Sequence, residues 1–181
     1  MKIQSLNGLW SRRIGEGEAM PCTVPYSTLP VGRSTCKREF SVEADYERLF
    51  LKFDGITYRA TVTLNEILLG KMFPYCEYEF EITDLVRNGE NELSVELEDL
   101  NLSFGPTPGW ENFGGIIRDV SLVYRNKNYI KDVFFKSELI NGYSDAIVSV
   151  EVETDKPSGA ILEISLADAR SEERRVGKEC H

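Results

Sequence analysis

The sequence predicts an all-β chain arranged as two successive sandwiches, and three observations support this. Between Cys36 and Glu98 apolar side chains recur at every second residue, the period of a half-buried strand. Turn pairs such as Asp54-Gly55 and Asn65-Glu66 cut that run at short intervals, which suits antiparallel strands and argues against any βαβ arrangement. By this reading seven or more strands precede Gly115, enough for a jelly-roll sandwich.

Taken in order, Leu6-Asn7-Gly8-Leu9-Trp10 places a turn pair directly before an aromatic residue, and Trp10 is read as core. Residues 16–33 are rich in Gly, Pro and Ser and are expected to form a long surface loop. Phe40 and Val42, then Leu49, Leu51 and Phe53, then Ala60, Val62 and Leu64 mark three half-buried strands. Tyr78, Phe80 and Ile82 resume the alternation, and Thr83 to Gly89 suits a capped single turn of helix ended by glycine. Asn91 to Glu98 is a further strand with Leu93, Val95 and Leu97 facing inward. Of the other aromatics, Phe50, Phe53, Phe80 and Phe104 are assigned to the core by periodicity, and Tyr58 to the core or its rim.

From Pro106 to Phe113 an aromatic, polar loop precedes the pair Gly114-Gly115, which breaks it just before the β-branched run that follows. Arg125 to Asn128 reads as a linker. Tyr129–Lys136, Ala146–Glu153 and Ala160–Leu166 follow as three strands, spaced like the opening of an immunoglobulin-like sandwich that stays incomplete. The expected division is a jelly-roll domain over 1–126, a partial immunoglobulin-like β-sandwich over 127–169, and a tail over 170–181.

Composition narrows the function. A net charge of −9 and a pI near 4.8 argue against a polyanion partner, since binding of nucleic acid or an anionic membrane rests on basic patches. The N-terminus lacks the apolar core of a secretory signal, and no segment approaches the roughly 20 apolar residues of a membrane helix, so a cytoplasmic address is the default. Four widely spaced cysteines and one histidine suggest neither a zinc site nor a disulfide framework, and no cofactor is expected.

The run Gly114-Gly115-Ile116-Ile117-Arg118-Asp119-Val120-Ser121-Leu122 resembles the closing strand of the N-terminal sugar-binding domain of glycoside hydrolase family 2, the β-galactosidase and β-glucuronidase family. Leu6-Asn7-Gly8-Leu9-Trp10 resembles the family's opening strand, and Val24-Pro25-Tyr26-Ser27 its Val-Pro-Gly-Ser stretch with Tyr26 in place of glycine. Phe53 to Ile56 and Ala60 to Asn65 resemble a family hairpin, with Glu66 where glycine is usual, while Lys71 to Cys76 departs from the pattern. The likeness extends from Leu6 to about Ala169. Beyond it, Arg170 to Cys180 resembles the in-frame translation of a sequencing-adaptor oligonucleotide and is set aside as a non-native tail.

The resemblance implies a glycosidase that hydrolyses O-glycosyl bonds, with an immunoglobulin-like domain and then a (β/α)₈ barrel after the sugar-binding domain. Retaining hydrolysis needs two carboxyl groups about 5 Å apart. The family places both on the barrel, which this sequence lacks, so no catalytic residue is assigned here. Glu111 and Asp119 have no reason to converge on one bond, and Asp119 beside Arg118 is read as a structural ion pair. Substrate binding falls to Trp110, Glu111 and Asn112, since sugars present apolar faces to aromatics and hydroxyls to carboxylates and amides. Glu111 is the nearest match to a family carboxylate that helps line the sugar pocket, although the family's acid sits at the position held here by Gly109. The expected partners are a β-glycoside and the missing barrel, and the parent is expected to be a homo-oligomer. The alternative is a stand-alone carbohydrate-binding or β-sandwich interaction module without activity.

Overall fold

The computed structural model describes residues 2–42, 45–99, 113–155, 161–167 and 173–177. Two units divide the chain, Met1–Lys127 and Asn128–His181. In the first, the strands are β1 (Lys2–Ser5), β2 (Gly8–Ile14), β3 (Ala19–Val24), β4 (Arg33–Ser41), β5 (Arg48–Phe53), β6 (Arg59–Leu64), β7 (Ile67–Met72), β8 (Tyr78–Glu81), β9 (Glu90–Glu98) and β10 (Val120–Arg125). They form a four-stranded sheet ordered β1-β10-β5-β8 and a six-stranded sheet ordered β3-β2-β4-β9-β6-β7. Every pairing is antiparallel, so the unit is the all-β sandwich that the alternation predicts.

Period-two burial decides which side chains form the core. Leu49, Leu51, Phe53 and Leu122 of the smaller sheet join one cluster with Cys36, Val62, Leu64, Leu93 and Val95 of the larger. Trp10 is buried as expected, and its indole Nε1 donates to the Leu6 carbonyl at 2.8 Å, which satisfies the one polar atom the ring takes inside. Phe50 is also buried, but it lies at the opposite parity of β5 from Leu49 and Leu51. There the Arg48 and Arg125 guanidinium groups cover its ring at 5.1 and 4.6 Å, held in turn by Glu81 and Glu79.

Two expectations need correction. The proposed loop over 16–33 contains β3, which pairs with β2 from Gly8↔Val24 to Arg13↔Ala19. Pro21 disguised it, but β3 is the edge of its sheet, where a missing N–H breaks no ladder. The helical turn at 83–89 is a tight turn only, in which Leu85 N and Val86 N both donate to the Ile82 carbonyl. A lone turn fixes several dihedrals for very few bonds and does not propagate. Gly89 closes the segment at φ +105, a conformation that glycine adopts without steric cost.

Asn65 and Glu66 form the two-residue connection between β6 and β7, with both φ values positive (49° and 70°). Asn65 suits that geometry and is held there: Nδ2 donates to Leu85 O (3.1 Å) and Asn91 Oδ1 (2.8 Å), and Oδ1 accepts from Glu92 N (3.1 Å). Asn91 accepts from Arg87 N and donates to the Arg87 and Gly89 carbonyls, so this buried amide pair is well satisfied.

The second unit contains β11 (Ile130–Ile140) and β12 (Asp145–Thr154), joined through a short 3₁₀ turn at Asn141–Tyr143, and a further hairpin of β13 (Glu163–Ala167) and β14 (Glu173–Gly177). The segment read as an adaptor-like tail thus includes β14, paired antiparallel with β13.

Glu66 has no side-chain partner among the described residues and sits exposed in a conformation that costs an L-residue about 1–2 kcal/mol. After allowing for the larger unfolded-state entropy of glycine, Glu66→Gly is expected to stabilise the protein by roughly 0.5–1 kcal/mol. That corresponds to a melting temperature about 1–4 °C higher by calorimetry, and a lowered value would contradict this account of the turn.

Candidate functional site

The loop end of the first unit is built around Gly114 and Gly115. Gly114 exchanges backbone hydrogen bonds with Thr28 (3.0 and 2.8 Å), and Gly115 does the same with Thr57 on its other side (2.9 Å each). Tyr26 N then donates to Ile116 O at 2.7 Å, and Ile117 N and Arg118 N both reach Gly55 O. The Thr57 hydroxyl donates to Phe113 O at 2.8 Å, fixing the residue before the pair.

This approach is too close for side chains. A Cβ built on Gly114 would lie 2.7 Å from Asp99 Cγ, and one on Gly115 would lie 2.5 Å from the Tyr26 carbonyl oxygen, at φ +140. Glycine here serves close packing of backbone against its neighbours.

Asp99 is the polar residue this packing encloses. It follows Leu93, Val95 and Leu97 at the same parity, so the inward alternation of β9 runs into a carboxylate. Its residue is 5% exposed; Oδ2 accepts from Val31 N at 2.8 Å and its own N–H donates to Gly32 O at 2.9 Å. Oδ1 is buried and has no hydrogen-bond partner among the described residues. Asp99 and Phe113 bracket residues 100–112, so the two described ends of that segment are anchored side by side.

Trp110, Glu111 and Asn112 lie outside the described residues, as do Gly109 and Phe104. Asp119, read from sequence as the ion-pair partner of Arg118, instead accepts from Asn7 Nδ2 at 2.9 Å, while Asn7 Oδ1 accepts from Val120 N. The aliphatic part of Arg118 packs over Gly55. Tyr58 is half-buried, as a rim residue would be. Sequence reasoning missed Asp99 and Tyr26, although a carboxylate at a core parity was a readable signal.

Tyr26 extends the site inward. Its hydroxyl shares a 3.1 Å hydrogen bond with Cys36 Sγ, and the Arg12 guanidinium lies 4.8 Å from its ring centroid. Burial pushes the Cys36 thiol up to about 11, with the Tyr26 hydrogen bond opposing the rise. Burial, reinforced by Cys36, also raises the Tyr26 hydroxyl, and burial raises Cys22 against the pull of Arg12. Both thiols are therefore protonated packing groups and poor nucleophiles at neutral pH. Among the described residues no group of three or more His, Cys, Asp or Glu side chains could hold a metal ion.

The glycosyl hydrolase 2 galactose-binding domain-like family matches residues 31–103. A β-galactosidase from Clostridium acetobutylicum is 28% identical over 169 residues, 92% of this chain and 19% of its own length. A β-glucuronidase from Bacteroides fragilis is 39% identical over 95 residues, 50% of this chain and 14% of its own. In fold, the chain resembles an uncultured Clostridium sp. β-glucuronidase with a TM-score of 0.82 at 20% identity, covering 98% of this chain and 38% of that one. A β-D-mannosidase from Dictyoglomus thermophilum gives 0.77 at 20% identity, covering 97% and 29%. The chain spans less than a fifth of the length of the first curated relatives it matches, 19%, 17% and 14%.

Gly114→Ala is expected to destabilise by about 1–3 kcal/mol through overpacking against Asp99. Adding Asp99→Ala should recover part of that loss, because the atoms met at Gly114 belong to a side chain, whereas Gly115→Ala meets backbone and should not be rescued. Denaturant melts of the three single variants and the double variant measure this directly, and strict additivity would contradict the proposed contact. A second expectation follows from Cys36. Its folded value of about 11 exceeds the ordinary 9.0, so its stabilising effect is complete below pH 9 and is lost as pH rises toward 11. Melting temperature should fall across that window, and less steeply in Cys36→Ala.

Proposed function

We propose that this chain, similar over residues 31–103 to the glycosyl hydrolase 2 galactose-binding domain-like family, is the part of a β-galactosidase- or β-glucuronidase-type glycosidase that helps shape the sugar pocket. The observation that supports this most is the anchoring of both ends of residues 100–112 by the glycine pair and Asp99, on the sequence that holds Trp110, Glu111 and Asn112. A segment whose two ends are fixed on a paired sheet framework is a suitable mount for ligand-contacting groups.

In this reading Glu111 accepts sugar hydroxyls, Trp110 offers a ring face and Asn112 an amide. The two carboxyl groups of glycoside hydrolysis belong to a barrel outside this sequence. The partners are a β-glycoside and that barrel, within a homo-oligomeric parent at a cytoplasmic address. Among the described residues no helix is long and apolar enough to cross a membrane. Residues 127–169 are the opening strands of an immunoglobulin-like sandwich, and 170–181 a non-native tail.

The purified chain is expected to hydrolyse no chromogenic β-galactoside or β-glucuronide, and turnover that follows the protein through purification would overturn the assignment. In a parent that includes the barrel, Glu111→Gln should weaken substrate affinity about tenfold or more, the equivalent of one charge-assisted hydrogen bond. The same change should leave the melting temperature of the present chain unaltered. A lowered melting temperature with unchanged affinity would make Glu111 a structural residue.

A further inference from the structure

A recess on β6, β7 and β9 lies apart from the loop end described above. Where β7 ends, Phe73 stands 55% exposed at the edge of a recess of about 210 Å³ whose other walls include Arg59, Thr61, Lys71, Glu96 and Glu98. Strand register explains why these polar groups meet. Lys71 lies opposite Thr61 and Thr61 opposite Glu96, while Arg59 lies opposite Glu98 in the neighbouring row. The Phe73 backbone is anchored, since its N–H donates to the Tyr78 hydroxyl at 3.1 Å.

Two features separate this recess from an ordinary solvated sheet face. Charged residues on such a face commonly pair across strands, as Arg33 and Glu98 do here at 3.2 Å. Lys71 and Glu96 have no ion-pair or hydrogen-bond partner among the described residues, and Thr61 stands between them. A cation, a hydroxyl and a carboxylate are thus left with donor and acceptor capacity along one line. An exposed aromatic ring beside that line adds a surface on which an apolar face can stack.

A pyranose ring has this combination of chemistry, with one apolar face and a rim of hydroxyls that both donate and accept. We propose that the recess binds one ring of a neutral pyranoside oligosaccharide, with Phe73 under the ring and Lys71, Thr61 and Glu96 at its hydroxyls. The recess is smaller than the roughly 300–1,000 Å³ of pockets for drug-sized ligands, which suits a single ring. The Glu96 carboxylate, in line with Thr61 and Lys71, would repel the carboxylate of an anionic ring, which favours a neutral ligand. None of these residues belongs to the 99–115 segment, so the site does not depend on the pocket-shaping role proposed above.

The test is an NMR titration of the full chain with methyl β-galactoside, methyl β-glucoside and glucuronate. The expected result is saturable shifts on β6, β7 and β9 with the neutral glycosides, at a Kd on the order of 1 mM. Phe73→Ala should raise that Kd about threefold to tenfold, the range of an aromatic stacking contact. Leu68→Ala, an equally exposed apolar change on β7 outside the recess, should leave it unchanged. Binding confined to glucuronate would replace the proposal with an anion site. Absence of shifts with every probe, or equal effects of Phe73→Ala and Leu68→Ala, would overturn it without touching the role assigned to Glu111.

Discussion

The loop end of the first unit depends on one constraint: Thr28 and Thr57 pair with Gly114-Gly115 from opposite sides, while the Asp99 side chain and the Tyr26 carbonyl leave no room for a Cβ. Thr28 follows the edge strand β3, Thr57 precedes β6, and Val120 opens β10 in the other sheet. A single segment therefore ties the ends of the edge strand β3 and of β6 in the larger sheet to β10 in the smaller one. Leu6 N to Val120 O and Asp54 N to Asp119 O continue the same seam. Most of its N–H groups are satisfied by backbone carbonyls, and Asn7 Oδ1 accepts from Val120 N to complete it.

This explains which parts of the fold were legible. Burial alone decides the period-two pattern of β5, β6 and β9, and burial is written in side-chain hydrophobicity. The edge strand β3 was hidden because an edge buries little and tolerates Pro21. The side-chain bonding of Asn65 and Asp99 was hidden for the opposite reason, both being polar residues at inward positions whose partners are distant in sequence. The Asn7–Asp119 hydrogen bond spans 112 residues, and only the folded chain reveals that Asp119 turns to an amide and away from its neighbour Arg118. The glycine pair was visible as a break, but that Asp99 and Tyr26 fill the space around it was not.

The second unit shows what a sandwich needs in order to close. On the β11–β12 ribbon, Val133, Phe135 and Leu139 lie opposite Val152, Val150 and Ala146, giving one apolar face and one mixed face. Phe135 remains 70% exposed on that face. Two strands cannot bury their own apolar face, because both rows point the same way, and an isolated ribbon is marginal in water. The first unit escapes this through its second sheet. Among the described residues, the same alternation that predicts strands in both units thus gives a buried cluster in the first unit only.

β9 joins these themes, since its inward face begins at Asn91 and its alternation ends at Asp99, with Leu93, Val95 and Leu97 between. Both polar ends are buried, yet their hydrogen bonding differs. Asn91 uses carbonyl and amide together to hold the 83–89 turn and the Asn65 corner, so its capacity is spent on the fold. Among the described residues Asp99 engages Oδ2 alone and retains an acceptor at Oδ1. A buried acceptor without a partner costs about 1–3 kcal/mol, more for a charged group, so one kept beside Gly114 calls for a compensating role. The satisfied end of β9 is scaffold, and the end whose Oδ1 has no partner among the described residues lies beside Gly114.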